Sequence, residues 1–178
     1  MWKKYLIIIL LFYLFALLQN SFFTHFSLFE TVPNLVFILF FLLVFFENNP
    51  DHPFGHAPRN YQIIFIAAAA GIFLDIFSYT YLGQSIILLI IIGFLLKNTQ
   101  SLLKNREDRY PFIYFLPLFV IFLLAYNLLL SSYLYFLDPN KIIISIGTKT
   151  IFSSIYSLLI ASVFFHIYKK ILASSSKQ

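Results

Sequence analysis

The chain has 178 residues, of which 61% are hydrophobic and only 11% charged, with a formal charge of +5 and no cysteine. A soluble domain carries about a quarter charged residues, so this composition defines an integral membrane protein with little room for a soluble domain. The missing cysteines exclude disulfides, thiolate metal sites and cysteine nucleophiles.

Six apolar stretches follow one another at 5–20, 32–46, 61–78, 82–96, 111–130 and 142–168. They predict an all-α bundle of six transmembrane helices forming a single membrane domain over 1–178. The first stretch follows Lys3 and Lys4 but has no small-x-small cleavage pattern around Gln19, Asn20 and Ser21, so it reads as a retained helix. The second and fourth are short for a hydrocarbon core of about 30 Å and are expected to extend into their flanks or to sit where the bilayer thins. Pro33 suits the first turn of the second helix and Pro111 that of the fifth, where a missing amide does no harm, while Pro117 predicts a kink further along.

The third stretch places a carboxylate in an otherwise apolar run. Ala67, Gly71, Asp75 and Ser78 fall within roughly 80° on a helix, a narrow stripe expected to face protein rather than lipid. In the sixth, Gly147, Thr150, Ser154, Ser157 and Ala161 form a similar seam, and Ser145, Lys149, Ser153 and Tyr156 gather on another side, so this helix is expected to touch protein on two faces. Tyr126, Asn127, Ser131 and Ser132 make the far end of the fifth helix polar.

Short cytoplasmic segments hold an excess of Lys and Arg. With the N-terminus inside, Lys3, Lys4, Arg59, Lys97, Lys104, Arg106, Arg109, Lys169, Lys170 and Lys177 are all cytoplasmic, and the outer connections hold only Lys141. Both termini are therefore expected in the cytoplasm. Asp75 and Lys149 then lie at comparable depths near the outer surface. Two arrangements fit: the pair share a polar site, or Asp75 caps the outer turn near Gly83 while Lys149 snorkels outward.

Two longer connections, 47–60 and 97–110, are expected to be cytoplasmic loops, the second of them basic and close to anionic headgroups. His52 and His56 in the first do not predict a metal site, because Pro53 and Gly55 break any shared helical face. No Ser-His-Asp pattern, paired carboxylates, His-Glu-x-x-His or Gly-rich phosphate loop is present, and neither enzymatic activity nor a cofactor is expected.

Leu18-Gln19-Asn20-Ser21, Val32-Pro33-Asn34-Leu35 and above all Gly71-Ile72-Phe73-Leu74-Asp75-Ile76-Phe77-Ser78 followed by Leu82-Gly83 resemble the rod-shape-determining protein MreD family of bacteria. The resemblance covers mainly the first half of the chain. It departs at Asn34, where the family usually has an acidic residue, and at Lys149, which matches no family element. It implies a non-enzymatic scaffold of the cell-wall elongation complex in the inner membrane, binding no nucleic acid. Its implied partners are the single-span protein MreC and, through it, MreB filaments and the wall-synthesising polymerase and transpeptidase. The family is similar in fold to the substrate-binding subunits of energy-coupling-factor vitamin transporters, which supplies a second expectation: capture of a small molecule near Asp75 and Lys149. Contact with MreC is expected at a small-residue seam, at Gly71 or Ser154.

Overall fold

The computed structural model describes residues 2–27, 31–46, 59–77, 81–107, 111–137 and 146–175. These form six helices. Helix α1 (Trp2–Leu17) continues without a break in helical backbone through a π-helical segment, Leu18–Phe22, and a last turn, Phe23–His25. It is followed by α2 (Leu35–Phe45), α3 (Arg59–Phe77), α4 (Gln84–Glu107), α5 (Pro111–Leu137) and α6 (Ile146–Ser175). The first, fifth and sixth contain apolar segments long enough to cross a membrane, Tyr5–His25, Phe112–Ser132 and Thr150–Ile167, and the other three are shorter apolar helices.

Helix α2 sits at the centre. Its sequence, LVFILFFLLVF, is apolar on every side, and all 11 residues are buried. A helix that is apolar all round must be enclosed by apolar surroundings; here the surroundings are protein, because α2 packs against each of the other five helices. This corrects the expectation for the second stretch. Preceded by the non-helical segment Thr31–Asn34, the helix spans only about 16 Å at 1.5 Å per residue and has no need to match the bilayer, because its neighbours shield it from lipid. Pro33 is likewise displaced from the expected first turn: it precedes the cap residue Asn34.

Cross-helix pairs fix the directions. Tyr5 meets Phe65 and Tyr13 meets Phe73, so α1 and α3 run parallel. Gly93 of α4 lies against Phe40 of α2 and Ile63 of α3, and Gly71 of α3 against Ile86 of α4. Thus α1, α3 and α5 run one way and α2, α4 and α6 the other. The α3–α4 hairpin is the closest pair: a Cβ built on Gly71 would stand 2.5 Å from the Ile86 Cα. Gly71 permits that approach, and Ala67 and Ala70 are buried near it on the same helix.

Phenylalanines fill the interior. Phe37, Phe41 and Phe45, one turn apart on α2, meet Phe115 and Phe119 of α5 largely edge to face, with centroids 5.2–5.9 Å apart. Phe165 of α6 closes the cluster at 4.6 Å from Phe115. Edge-to-face pairs at such spacing contribute about 0.5–1.5 kcal/mol each beyond area burial.

Two further boundaries differ from the sequence reading. Helix α4 continues to Glu107, so most of the expected basic loop is helical. The sixth helix is described from Ile146, and the 47–58 segment with His52 and His56 lies outside the described residues.

Candidate functional site

Among the described residues, a set of interhelical hydrogen bonds gathers at one end of the bundle, where α1, α3 and α5 finish and α2, α4 and α6 begin. Asn34 starts α2, its side-chain oxygen accepting from the Phe37 amide at 3.0 Å. This is the usual work of an N-cap, which Asn performs as well as Asp. The Asn34 amide in turn donates to Ser157 Oγ of α6 at 2.9 Å, and Ser153 Oγ donates to the Val32 carbonyl at 3.1 Å. Gln19 Oε1 accepts from the Val36 amide at 3.4 Å.

Gln19 lies within the π-helical segment of α1. Widening a helix by one residue frees carbonyls, which must be satisfied internally in an apolar medium. Asn20 Nδ2 donates to the Ala16 carbonyl at 2.9 Å, and Thr24 Oγ1 lies within hydrogen-bond distance of the Asn20 and Ser21 carbonyls. The polar run at 19–21 therefore closes its own helix and caps its neighbour.

Asp75 completes the layer. It is only 2% exposed, and both carboxylate oxygens accept amides from the start of α4: Gly83 N–H at 2.7 Å and Ser85 N–H at 3.0 Å. Gly83 turns the chain with φ of 96°, a left-handed conformation that glycine adopts without strain. The capping arrangement foreseen for Asp75 is thus formed. The side chain of Lys149 and all of Ser78 lie outside the described residues. Ser85 Oγ pairs with Tyr126 OH at 3.1 Å, and the Tyr126 ring packs on Phe37, linking α4, α5 and α2. Beside this turn, Gln84 is 6% exposed and both its amide atoms are buried without a hydrogen-bond partner among the described residues.

The expected small-residue seams are occupied within the chain. Gly71 is buried against α4, and Ser154, Ser157 and Ala161 are buried on α6. This corrects the expectation that Gly71 or Ser154 faces a partner, because the contacts that favour small residues are made here between helices of one molecule. Ser153 and Tyr156, on the other side of α6, reach the Val32 and Phe26 carbonyls, so α6 does touch protein on two faces. The caps supplied by Gln19 and Ser157 and the Ser85–Tyr126 pair were not assigned from sequence. Their signal is that each is a polar residue in phase with the buried face of its helix.

At the opposite end, Gln100 Nε2 donates to the Phe45 carbonyl at 2.9 Å, closing the last turn of α2. Among the described residues no three His, Asp or Glu side chains gather as a metal site. No protein family, curated protein or solved structure matches the chain.

Proposed function

We propose that this chain is a six-span protein of the bacterial cytoplasmic membrane with both termini cytoplasmic, and that it is a non-enzymatic scaffold of MreD type. It binds MreC and links MreB filaments to wall synthesis. The observation that carries this reading is the role of the motif residues: Gln19, Asn20, Asn34, Gly71, Asp75 and Gly83 are all structural joints of one bundle, holding helix ends and helix crossings. Residues that act as joints suit a rigid platform for other membrane proteins. An interior filled by α2 and its phenylalanines supports the same reading. The bilayer-facing surface includes Ile151, Ile155, Leu159 and Val163 of α6, leaving broad apolar area for a single-span partner.

The test is genetic and biochemical. Depletion from a rod-shaped host should round the cells, and tagged protein should recover MreC from detergent extracts. Unchanged shape together with no MreC recovery would overturn the proposal.

Gln84 favours a second reading, a substrate-binding subunit of the vitamin-transporter type. A buried amide without a partner beside Asp75, Ser85 and Tyr126 is the kind of group that a small polar ligand satisfies after rearrangement. One small molecule co-purifying in stoichiometric amount, detected by mass spectrometry, would favour this reading over the scaffold.

A further inference from the structure

The buried polar groups of the bundle divide into those that meet a partner and those that do not. Among the described residues three buried side-chain polar atoms lack one: Oε1 of Gln100, and both Nε2 and Oε1 of Gln84. Gln100 still uses its Nε2, which donates to the Phe45 carbonyl and closes α2. Gln84, at 6% exposure, uses neither atom. A buried glutamine that serves the fold finds at least one partner, as Gln100 does; an amide buried with none calls for a group from outside the chain.

The surroundings of Gln84 restrict what that group can be. Gln84 opens α4, and its own backbone amide and those on both sides are already committed: Gly83 and Ser85 donate to Asp75, and the Gln84 amide donates to the Tyr81 carbonyl at 3.2 Å. No amide at 83–85 is left to receive an anion, and the Asp75 carboxylate held there repels one. A cation such as an ammonium is excluded for a different reason, since it offers only donors and would leave Nε2 as unpaired as before. The complement of a carboxamide edge is an acceptor beside a donor, which a lactam or another carboxamide supplies. Space exists at the neighbouring residue. A Cβ built on Gly83 would meet nothing within 4 Å, and the turn before it is open to the surface at Tyr81 and Leu82.

We infer that Gln84 is the recognition residue of a binding site at the α3–α4 turn for a small neutral ligand that carries an amide or lactam group. The inference names the ligand class of the transporter-type reading above and rests on that reading. Asp75 holds the turn in place, and Gln84 reads the ligand.

The experiment uses the full chain in detergent with δ-valerolactam as the probe. Cyclohexanone, which keeps the ring and carbonyl but lacks the N–H, and valerate, an anion of similar size, are the comparisons. The lactam should raise the unfolding temperature and shift the Gln84 side-chain NH2 resonance of protein carrying isotope-labelled glutamine, saturably in both cases; neither comparison should do so. Q84L, close in volume and unable to pair, should fold at least as stably as the wild type because it removes an unsatisfied amide, and it should weaken the lactam response on the order of tenfold or more. Marked loss of stability in Q84L would show that the amide has a structural partner and would overturn the inference. So would equal stabilisation by cyclohexanone or valerate, a lactam response retained in Q84L, or no response of the wild type. The two readings fail separately. A co-purified molecule without an amide, held equally by wild type and Q84L, would leave the transporter reading standing and sink the inference, whereas a specific lactam response in a protein that co-purifies with no small molecule would support the site and count against the transporter role.

Discussion

A carboxylate among apolar helices persists only where its oxygens are satisfied, and in this protein both Asp75 oxygens accept amides at the start of a neighbouring helix. Hydrogen bonds to a charged group contribute about 1.5–3 kcal/mol each. Asp75→Ala should therefore lower stability by about 3–6 kcal/mol, and Asp75→Asn, which keeps one acceptor oxygen, by about half of that; thermal unfolding in detergent checks both. Gly71 and Gly83 separate two reasons for a glycine. Gly71→Ala forces α3 from α4 and should cost about 1–3 kcal/mol, whereas Gly83→Ala meets nothing within 4 Å and should cost only about 1 kcal/mol, for backbone conformation alone. At Asn34 the cap predicts that Asn34→Asp is nearly neutral and Asn34→Ala loses about 1 kcal/mol. Equal losses from the two Asn34 variants would mean that the cap is not what holds that residue.

At the level of elements, α2 is stabilised by what other helices lend to its ends. Gln19, Ser153 and Ser157 satisfy backbone groups at its start, and Gln100 satisfies a carbonyl at its finish. Hydrogen bonds between membrane helices average about 0.6 kcal/mol and reach about 1.7. The double variant S153A/S157A should accordingly loosen the Thr31–Asn34 segment, raising hydrogen exchange of the Asn34 amide about tenfold or more while leaving α3 and α4 protected; exchange unchanged at Asn34 would show that the hydroxyls do not restrain it. The seams on α3 and α6 were legible in the sequence because small residues recur at helical spacing. Which protein they face was not, since an intramolecular neighbour and a partner demand the same small side chains. The enclosure of α2 was also hidden: an all-round apolar run of 11 residues has the same composition whether its surroundings are lipid or phenylalanine. The lengths of α4 and α6 were missed for a related reason, as polar helical extensions lose the apolar signal by which a span is recognised.

For the whole molecule, the antiparallel order gathers caps and hydroxyls at one end and many of the Lys and Arg positions at the other. The proposed orientation places the second end in the cytoplasm. Because the chain has no native cysteine, single cysteines can report this directly. A cysteine at Lys3 or Lys170 should resist an impermeant maleimide in intact cells and react after permeabilisation, while one at Leu82 should react in both. The reverse pattern would invert the topology.

The central position of α2 also sets an order of events during synthesis. Its amino-terminal cap partner Ser157 is 123 residues later than Asn34, and its aromatic neighbours Phe115, Phe119 and Phe165 come from the last two helices. Until those helices leave the translocon, a segment whose helix is too short to cross the bilayer by itself has no finished surroundings, and α1, α3 and α4 shelter it only in part. A chain ended after Glu107 should therefore be captured by membrane chaperones or degraded. Assembly of this protein is thus completed from its carboxyl-terminal side, with the second helix emerging early and being enclosed last.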